Sequence, residues 1–174
     1  MAAVAFNTRD TFEFFHILHA GELEKLAEKE MTGTLHLPSN SSGSGPFPAV
    51  VQLHGSFGWR AHHNKHRDNL VKNGFAVLQV DSFKARGVQS TAERQIDCTL
   101  AMQVFDAYQG LLFLQSSPEY SHLIDITKVG IAGWSLGGGA AIYSAVENIA
   151  AACAGQDGPR FAARNPDVQM VYGT

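Results

Sequence analysis

A glycine-rich stretch around a single serine, VGIAGWSLGGGA at residues 129–140, is the feature that most constrains the fold. Gly133, Ser135 and Gly137 match the pattern G-x-S-x-G, in which a serine occupies a tight turn between a strand and a helix. This turn brings the residues two before and two after the serine close together, so both must be small. The pattern therefore predicts a nucleophile elbow with Ser135 as the nucleophile.

Apolar runs and helical patterns alternate along the chain. Buried strands are predicted at residues 49–53, 75–80, 129–132 and 168–172, with a weaker edge strand at 31–37. Helices are predicted at 62–73, which ends before Gly74, at 90–111, which starts with a capping-box pattern at 90–93, and at 136–148. A polar loop is predicted at 39–46. Strands that alternate with helices predict an α/β fold with a mainly parallel sheet.

Length and composition predict one domain, since 174 residues of which 45% are hydrophobic can bury one ordinary core. We expect residues 1–30 to be an N-terminal extension and 31–174 to be the core. A formal charge of −3 provides no basic field for nucleic acid, and no apolar window is long enough for a membrane helix. A small-molecule partner is expected, and the oligomeric state is not predicted.

The cysteines and the N-terminus predict where the protein resides. Cys98 and Cys153 are too few for a disulfide scaffold, although a single bridge between them stays open. The first residues lack the charged and apolar regions of a secretory signal. Together these features predict a cytoplasmic protein.

Two backbone N–H groups are candidates for an oxyanion hole. The helix after Ser135 would direct the Leu136 N–H toward a developing anion. The segment LHGSFGW at residues 53–59 follows a predicted buried strand, and there we expect the Ser56 N–H, or failing that the Phe57 N–H, to be the second donor. A phosphate loop is disfavoured because Ser135 stands where G-x-G-x-x-G needs glycine. An ordinary glycine turn with an incidental serine stays open.

Three segments, PAVVQLHGSFGWR, GFAVLQVDSFKARG and DITKVGIAGWSLGGGAA, together resemble the dienelactone hydrolase-like branch of the α/β-hydrolase superfamily over about residues 31–172. The resemblance implies an α/β-hydrolase-type three-layer sandwich and a Ser/Cys–Asp–His hydrolase that cleaves esters or lactones without a cofactor. It assigns the nucleophile to Ser135 and the oxyanion donors to Ser56 and Leu136. Dienelactone-cleaving members have a cysteine nucleophile and a glutamate at the position of Gly55, which argues against dienelactone itself as the substrate.

A histidine base is not visible where the resemblance expects one. In α/β-hydrolases the order is serine, acid, histidine. All eight histidines of this chain precede Ser135, namely His16, His19, His36, His54, His62, His63, His66 and His122. We therefore expect the acid and the histidine beyond Thr174, and a domain truncated after the strand at 168–172. A catalytically incomplete relative that serves as a binding module is the alternative, and acyl transfer is a third possibility.

Other polar side chains have two interpretations each. His54 is either an upstream base or a brace for the oxyanion loop, and Asp81 either orients a base or caps a loop. Arg60 and Arg86 either hold a substrate carboxylate at the mouth of the site or are solvated.

His62 and His66 lie four residues apart on a predicted helix, a spacing that also occurs in metal sites. The chain has no H-E-x-x-H motif and no clear third ligand. A solvated helix face is favoured, so no metal site is predicted.

Overall fold

The computed structural model describes residues 1–39 and 45–154, and the backbone of 172–173. The strands are β1 (Ala2–Arg9), β2 (Glu28–His36), β3 (Phe47–Leu53), β4 (Ala76–Val80), β5 (Ile124–Trp134) and β6 (Tyr172–Gly173). The α-helices are α1 (Phe14–Leu18), α2 (Ala61–Lys72), α3 (Leu100–Ser116), α4 (Leu136–Tyr143) and α5 (Glu147–Ala154). Residues 40–44 of the predicted loop and 168–171 of the last predicted strand lie outside the described residues.

The strands form one sheet in the order β1-β2-β4-β3-β5-β6. β3 pairs in parallel with β4 on one side and with β5 on the other, and β5 pairs in parallel with β6. Val51 at the centre of β3 is fully buried between Leu78 and Ile131 of its neighbours. α3 contacts β1, β3, β4 and β5, and α2 contacts β4. The predicted α/β fold with a mainly parallel sheet is confirmed.

The N-terminal residues form the edge of this sheet. β1 pairs antiparallel with β2 over eight residues, from Ala2 opposite Leu35 to Arg9 opposite Glu28. β2 also pairs with β4, so the edge position predicted for residues 31–37 is wrong. Val4, Phe6 and Thr8 alternate inward along β1 and are buried. The segment set apart above as an extension therefore contributes a strand and part of the core.

The predicted helix at 90–111 begins too early. α3 starts at Leu100, where the Met102 N–H donates to the Thr99 hydroxyl at 3.3 Å. Ser90 and Thr91, whose pattern suggested a cap, bind the Ser56 carbonyl oxygen through the Ser90 hydroxyl (3.1 Å) and the Thr91 N–H (2.9 Å). Side chains that resemble a cap can thus serve a distant loop instead.

The predicted helix at 136–148 is divided into α4 and α5. The Ser144 hydroxyl donates to the Ala141 carbonyl at 2.7 Å, and the Tyr108 hydroxyl donates to the Ser144 carbonyl at 2.6 Å. The Ser144 carbonyl, which would accept a backbone hydrogen bond in a continuous helix, thus accepts one from Tyr108. The second helix, α5, begins at Glu147.

Arg86 lies in the interior and away from the mouth of the site. Its side chain is 3% exposed and forms a bidentate ion pair with the fully buried Asp106, with distances of 2.7 and 3.1 Å. It also donates to Asp10 at 2.8 Å, while the Thr8 hydroxyl donates to Asp106 at 2.6 Å. Both interpretations given above for Arg86 are therefore wrong, because its guanidinium joins β1, α3 and the turn after β4.

Cys98 and Cys153 are both buried free thiols, so the bridge left open above is not formed. Burial raises the pKa of each thiol to about 12. Within the described ranges, no helix combines the length and the apolar character needed to cross a membrane.

Candidate active site

Ser135 occupies a strained backbone conformation between β5 and α4. Its φ is 52° and its ψ is −114°, and it is the only non-glycine residue with a positive φ in the described part of the chain. This conformation is costly for a residue with a Cβ, and it occurs mostly where a functional side chain must be displayed. The side chain of Ser135 is exposed.

Gly133 and Gly137 make this turn possible. A Cβ on Gly133 would lie 2.1 Å from the Gly137 carbonyl oxygen, and one on Gly137 would lie 2.5 Å from the Leu53 carbonyl oxygen. Neither position can hold a side chain without moving the backbone. The two glycines of the sequence pattern thus have the close contacts that a nucleophile elbow requires.

The N-terminus of α4 supplies unpaired donors next to Ser135. α4 begins at Leu136, and the Gly139 N–H donates to the Ser135 carbonyl at 2.9 Å. The N–H groups of the first helical residues have no partner within the helix, and the helix dipole favours an anion beside them. This position suits the Leu136 N–H as an oxyanion donor.

The loop after β3 approaches the elbow directly. A Cβ on Gly55 would lie 3.0 Å from the Trp134 carbonyl oxygen and 3.2 Å from the Ser135 Cβ. A larger residue here would press on the serine, which gives a physical reason for glycine at this position. The Gly58 N–H donates to the Gly55 carbonyl at 3.0 Å, which closes a turn with Ser56 at its second position.

His54 supports this loop. Its ring is fully buried and packs against Phe83 and Trp59, with ring centroids 4.2 and 5.5 Å away. Nδ1 lies 2.9 Å from the Gly55 carbonyl oxygen, and burial lowers the pKa of His54. Among the described residues no hydrogen bond joins its ring to Ser135. These contacts favour the brace over the base.

His62, His63 and His66 pack on Trp134, the residue before the serine. Their ring centroids lie 6.4, 4.6 and 5.3 Å from that of Trp134. In the described part of the chain, no three His, Cys, Asp or Glu side chains are placed so that they could hold a metal ion together. The buried His63 accepts a hydrogen bond at Nδ1 from the Arg60 N–H at 2.8 Å. Burial, together with the neighbouring His62, lowers the pKa of His63 to about 4.

We expect acid to weaken the fold through His63. Its pKa is about 4 in the folded protein and 6.5 ordinarily. The unfolded chain therefore binds the extra proton first, so stability is complete above pH 6.5 and is lost as the pH falls toward 4. Urea denaturation should give a lower unfolding free energy at pH 5 than at pH 7, with about 1–2 kcal/mol of the difference due to His63. His36 and His54, whose pKa values burial also lowers, should add to this difference. His63→Asn, whose Oδ1 can accept the Arg60 bond, should reduce this difference. An unchanged pH dependence in that variant would contradict this assignment.

An open cleft of about 700 Å³ lies over Ser135. Ser56, Leu136 and Gly139 line it together with the serine, whereas Phe57 does not. Asp81 lies outside this cleft and accepts a hydrogen bond from the Lys84 N–H at 3.0 Å, so it caps a turn.

Eight further lining residues were not anticipated as part of the site from the sequence, namely Phe12, Glu13, Phe14, Gln95, Ile96, Thr99, Leu100 and Ala101. Phe12, Glu13 and Phe14 follow β1, which runs in the same direction as β4. They therefore lie at the carboxyl end of the parallel strands, where Ser135 also lies. Recognising β1 in the sequence would have placed them there. Nothing in the sequence pattern singles out the other five as lining residues.

The parallel strands around β3 and a strained serine between β5 and α4 define an α/β-hydrolase-type fold. A dienelactone hydrolase-like promiscuous phosphotriesterase from metagenomic libraries superposes with a TM-score of 0.54 at 23% identity, over 83% of this chain and 53% of that one. An esterase from Thermogutta terrifontis superposes with a TM-score of 0.50 at 16% identity, over 67% and 40%. These likenesses confirm the fold that the sequence resemblance implied.

Sequence comparison then shows the family. The PET hydrolase-like family profile matches residues 23–166, so this chain belongs to the PET hydrolase-like family. Lipase 1 of Moraxella sp. (strain TA144) is 26% identical over 115 residues, which are 66% of this chain and 33% of the lipase. The chain thus spans about half the length of the phosphotriesterase and a third of that of the lipase.

Proposed function

We propose that the complete protein is a serine hydrolase of carboxylic esters or lactones, and that residues 1–174 form part of one hydrolase domain. The observation that carries this proposal is the positive φ of Ser135 between two glycines that cannot hold a Cβ. Membership of the PET hydrolase-like family and the similarity to a lipase support hydrolysis of esters in general.

In the proposed mechanism the Ser135 Oγ attacks the ester carbonyl carbon while a histidine takes its proton. The carbonyl oxygen becomes an oxyanion, which the N–H groups of Leu136 and Ser56 stabilise. Collapse expels the alcohol, which receives the proton from the histidine, and water then releases the acid from the acyl-enzyme. No histidine follows Ser135 in these 174 residues, so we propose that base and acid lie beyond Thr174.

Hydrolysis of p-nitrophenyl butyrate by the complete protein tests this function. We expect nitrophenolate and butyrate to appear in equal amounts and well above the uncatalysed rate. Added alcohol should leave this ratio unchanged, whereas conversion of the acyl group into a new ester would indicate acyl transfer. A rate equal to the uncatalysed rate would contradict the proposal.

The second oxyanion donor can be removed by proline. Ser56→Pro deletes the Ser56 N–H at the second position of the turn that ends at Gly58, where proline is favoured. We expect kcat to fall by about 10²- to 10³-fold with the fold retained. Ser56→Ala is the matched control, because it keeps the N–H and should retain kcat within about threefold. Full activity of the proline variant, with an unchanged circular dichroism spectrum, would exclude Ser56 as a donor.

A further inference from the structure

Glu13 brings a negative charge to the cleft over Ser135. It lies between β1 and α1, its side chain is exposed, and it lines the cleft with the serine. Among the described lining residues Glu13 is the only ionisable one, so no lysine or arginine there offsets it. The wall of the cleft that the described residues form therefore carries one negative charge and no positive one.

The two arginines that the sequence suggested as holders of a substrate carboxylate, Arg60 and Arg86, do not line the cleft. The Arg86 guanidinium is buried in its ion pairs with Asp106 and Asp10. The Arg60 guanidinium lies 5.9 Å from the centre of the Phe57 ring and does not line the cleft. Neither cation is in position to bind a substrate carboxylate at the serine.

The remaining wall of the cleft is largely apolar. Phe12 and Phe14 flank Glu13, and Ile96 and Leu100 contribute from the segment around the start of α3. Phe12 and Ile96 are 44% and 62% exposed, so their apolar surface is available to a bound molecule. Apolar lining favours an alkyl or aryl group, whose burial is stabilising, and offers little to a charged group.

We infer that this cleft selects esters by charge: it takes uncharged esters with an apolar acyl group, and Glu13 excludes esters whose acyl group carries a carboxylate. The inference rests on the proposed hydrolase function and names the substrate class of that site. Two like charges several ångströms apart near a protein surface repel enough to change relative rates by about tenfold. Repulsion of this kind is screened by salt.

A matched pair of esters tests the inference in the complete protein. p-Nitrophenyl butyrate and mono-p-nitrophenyl succinate have acyl groups of equal length, and only the succinate ester carries a carboxylate. We expect wild-type kcat/KM to favour the butyrate ester by about tenfold or more. Glu13→Gln should raise kcat/KM for the succinate ester by about tenfold and leave the butyrate ester within about twofold.

Glu24→Gln is the control, because this substitution removes the same charge. Glu24 is exposed in the same connection between β1 and β2 and does not line the cleft. It should leave the ratio of the two kcat/KM values unchanged. If both esters are hydrolysed and Glu13→Gln leaves the ratio of their kcat/KM values unchanged, the charge-selection inference is overturned and the proposed function is not. If the wild-type protein hydrolysed neither of the two esters, the proposed function would be overturned, and this inference with it.

Discussion

Ser135→Ala is expected to lower kcat for ester hydrolysis by about 10⁴- to 10⁶-fold, because it removes the atom that forms the acyl-enzyme. The rate that remains should come from the oxyanion donors and from substrate binding. The side chain of Ser135 is exposed, and alanine has the same Cβ, so the unfolding free energy should change by less than about 0.5 kcal/mol. Initial rates and urea denaturation on the same preparation measure both quantities.

Ser116→Ala is a suitable control for that experiment. Ser116 is an exposed serine at the end of α3 whose hydroxyl donates to the Leu112 carbonyl at 2.8 Å, and it does not line the cleft. We expect it to keep kcat within about twofold. Equal activity of the Ser135→Ala and Ser116→Ala variants would mean that Ser135 is not the nucleophile.

Gly133→Ala is expected to produce the largest loss of stability. The new Cβ would lie 2.1 Å from the Gly137 carbonyl oxygen and 2.2 Å from its carbon, both backbone atoms. The elbow would have to open, which would separate β5 from the start of α4. We expect the unfolding free energy to fall by about 3 kcal/mol or more, and ester hydrolysis to be lost in whatever protein still folds.

Gly138→Ala separates this effect from a general intolerance of side chains in the glycine run. A Cβ on Gly138 would meet the Gly133 carbonyl oxygen at 3.3 Å, and alanine is the better helix former. We therefore expect a stability change within about 1 kcal/mol. Comparable thermal melting of the Gly133→Ala and Gly138→Ala variants would show that the tight contact across the elbow does not control the fold.

The centre of the fold could be predicted from the sequence because its signals are local. Short apolar runs in the sequence predict the three strands β3, β4 and β5. Each of these strands lies between two neighbours and has buried apolar residues. The G-x-S-x-G pattern specified a turn whose glycines have no room for a Cβ, as the contact at Gly133 shows. Gly74 likewise follows the end of α2 with a φ of 89°, as its position in the pattern predicted.

Other features depend on partners that are distant in the sequence. β1 is a strand because eight of its residues pair with β2, a contact that its own composition does not reveal. The sequence around Arg86 suggests a surface residue, but Arg86 pairs in the interior with Asp106, which lies twenty positions later. The start of α3 was misplaced because Ser90 and Thr91 bind the Ser56 carbonyl. Glu13 reaches the cleft only through the position of β1.

The central claim, that Ser135 is an activated nucleophile, is tested most directly by labelling the complete protein with a fluorophosphonate and mapping the adduct by mass spectrometry. We predict one adduct per chain, located on the Ser135 hydroxyl and absent from the Ser135→Ala variant. An unlabelled protein, or an adduct that persists in that variant, would contradict the claim. The chain would then be better described as a relative that keeps the hydrolase fold for binding.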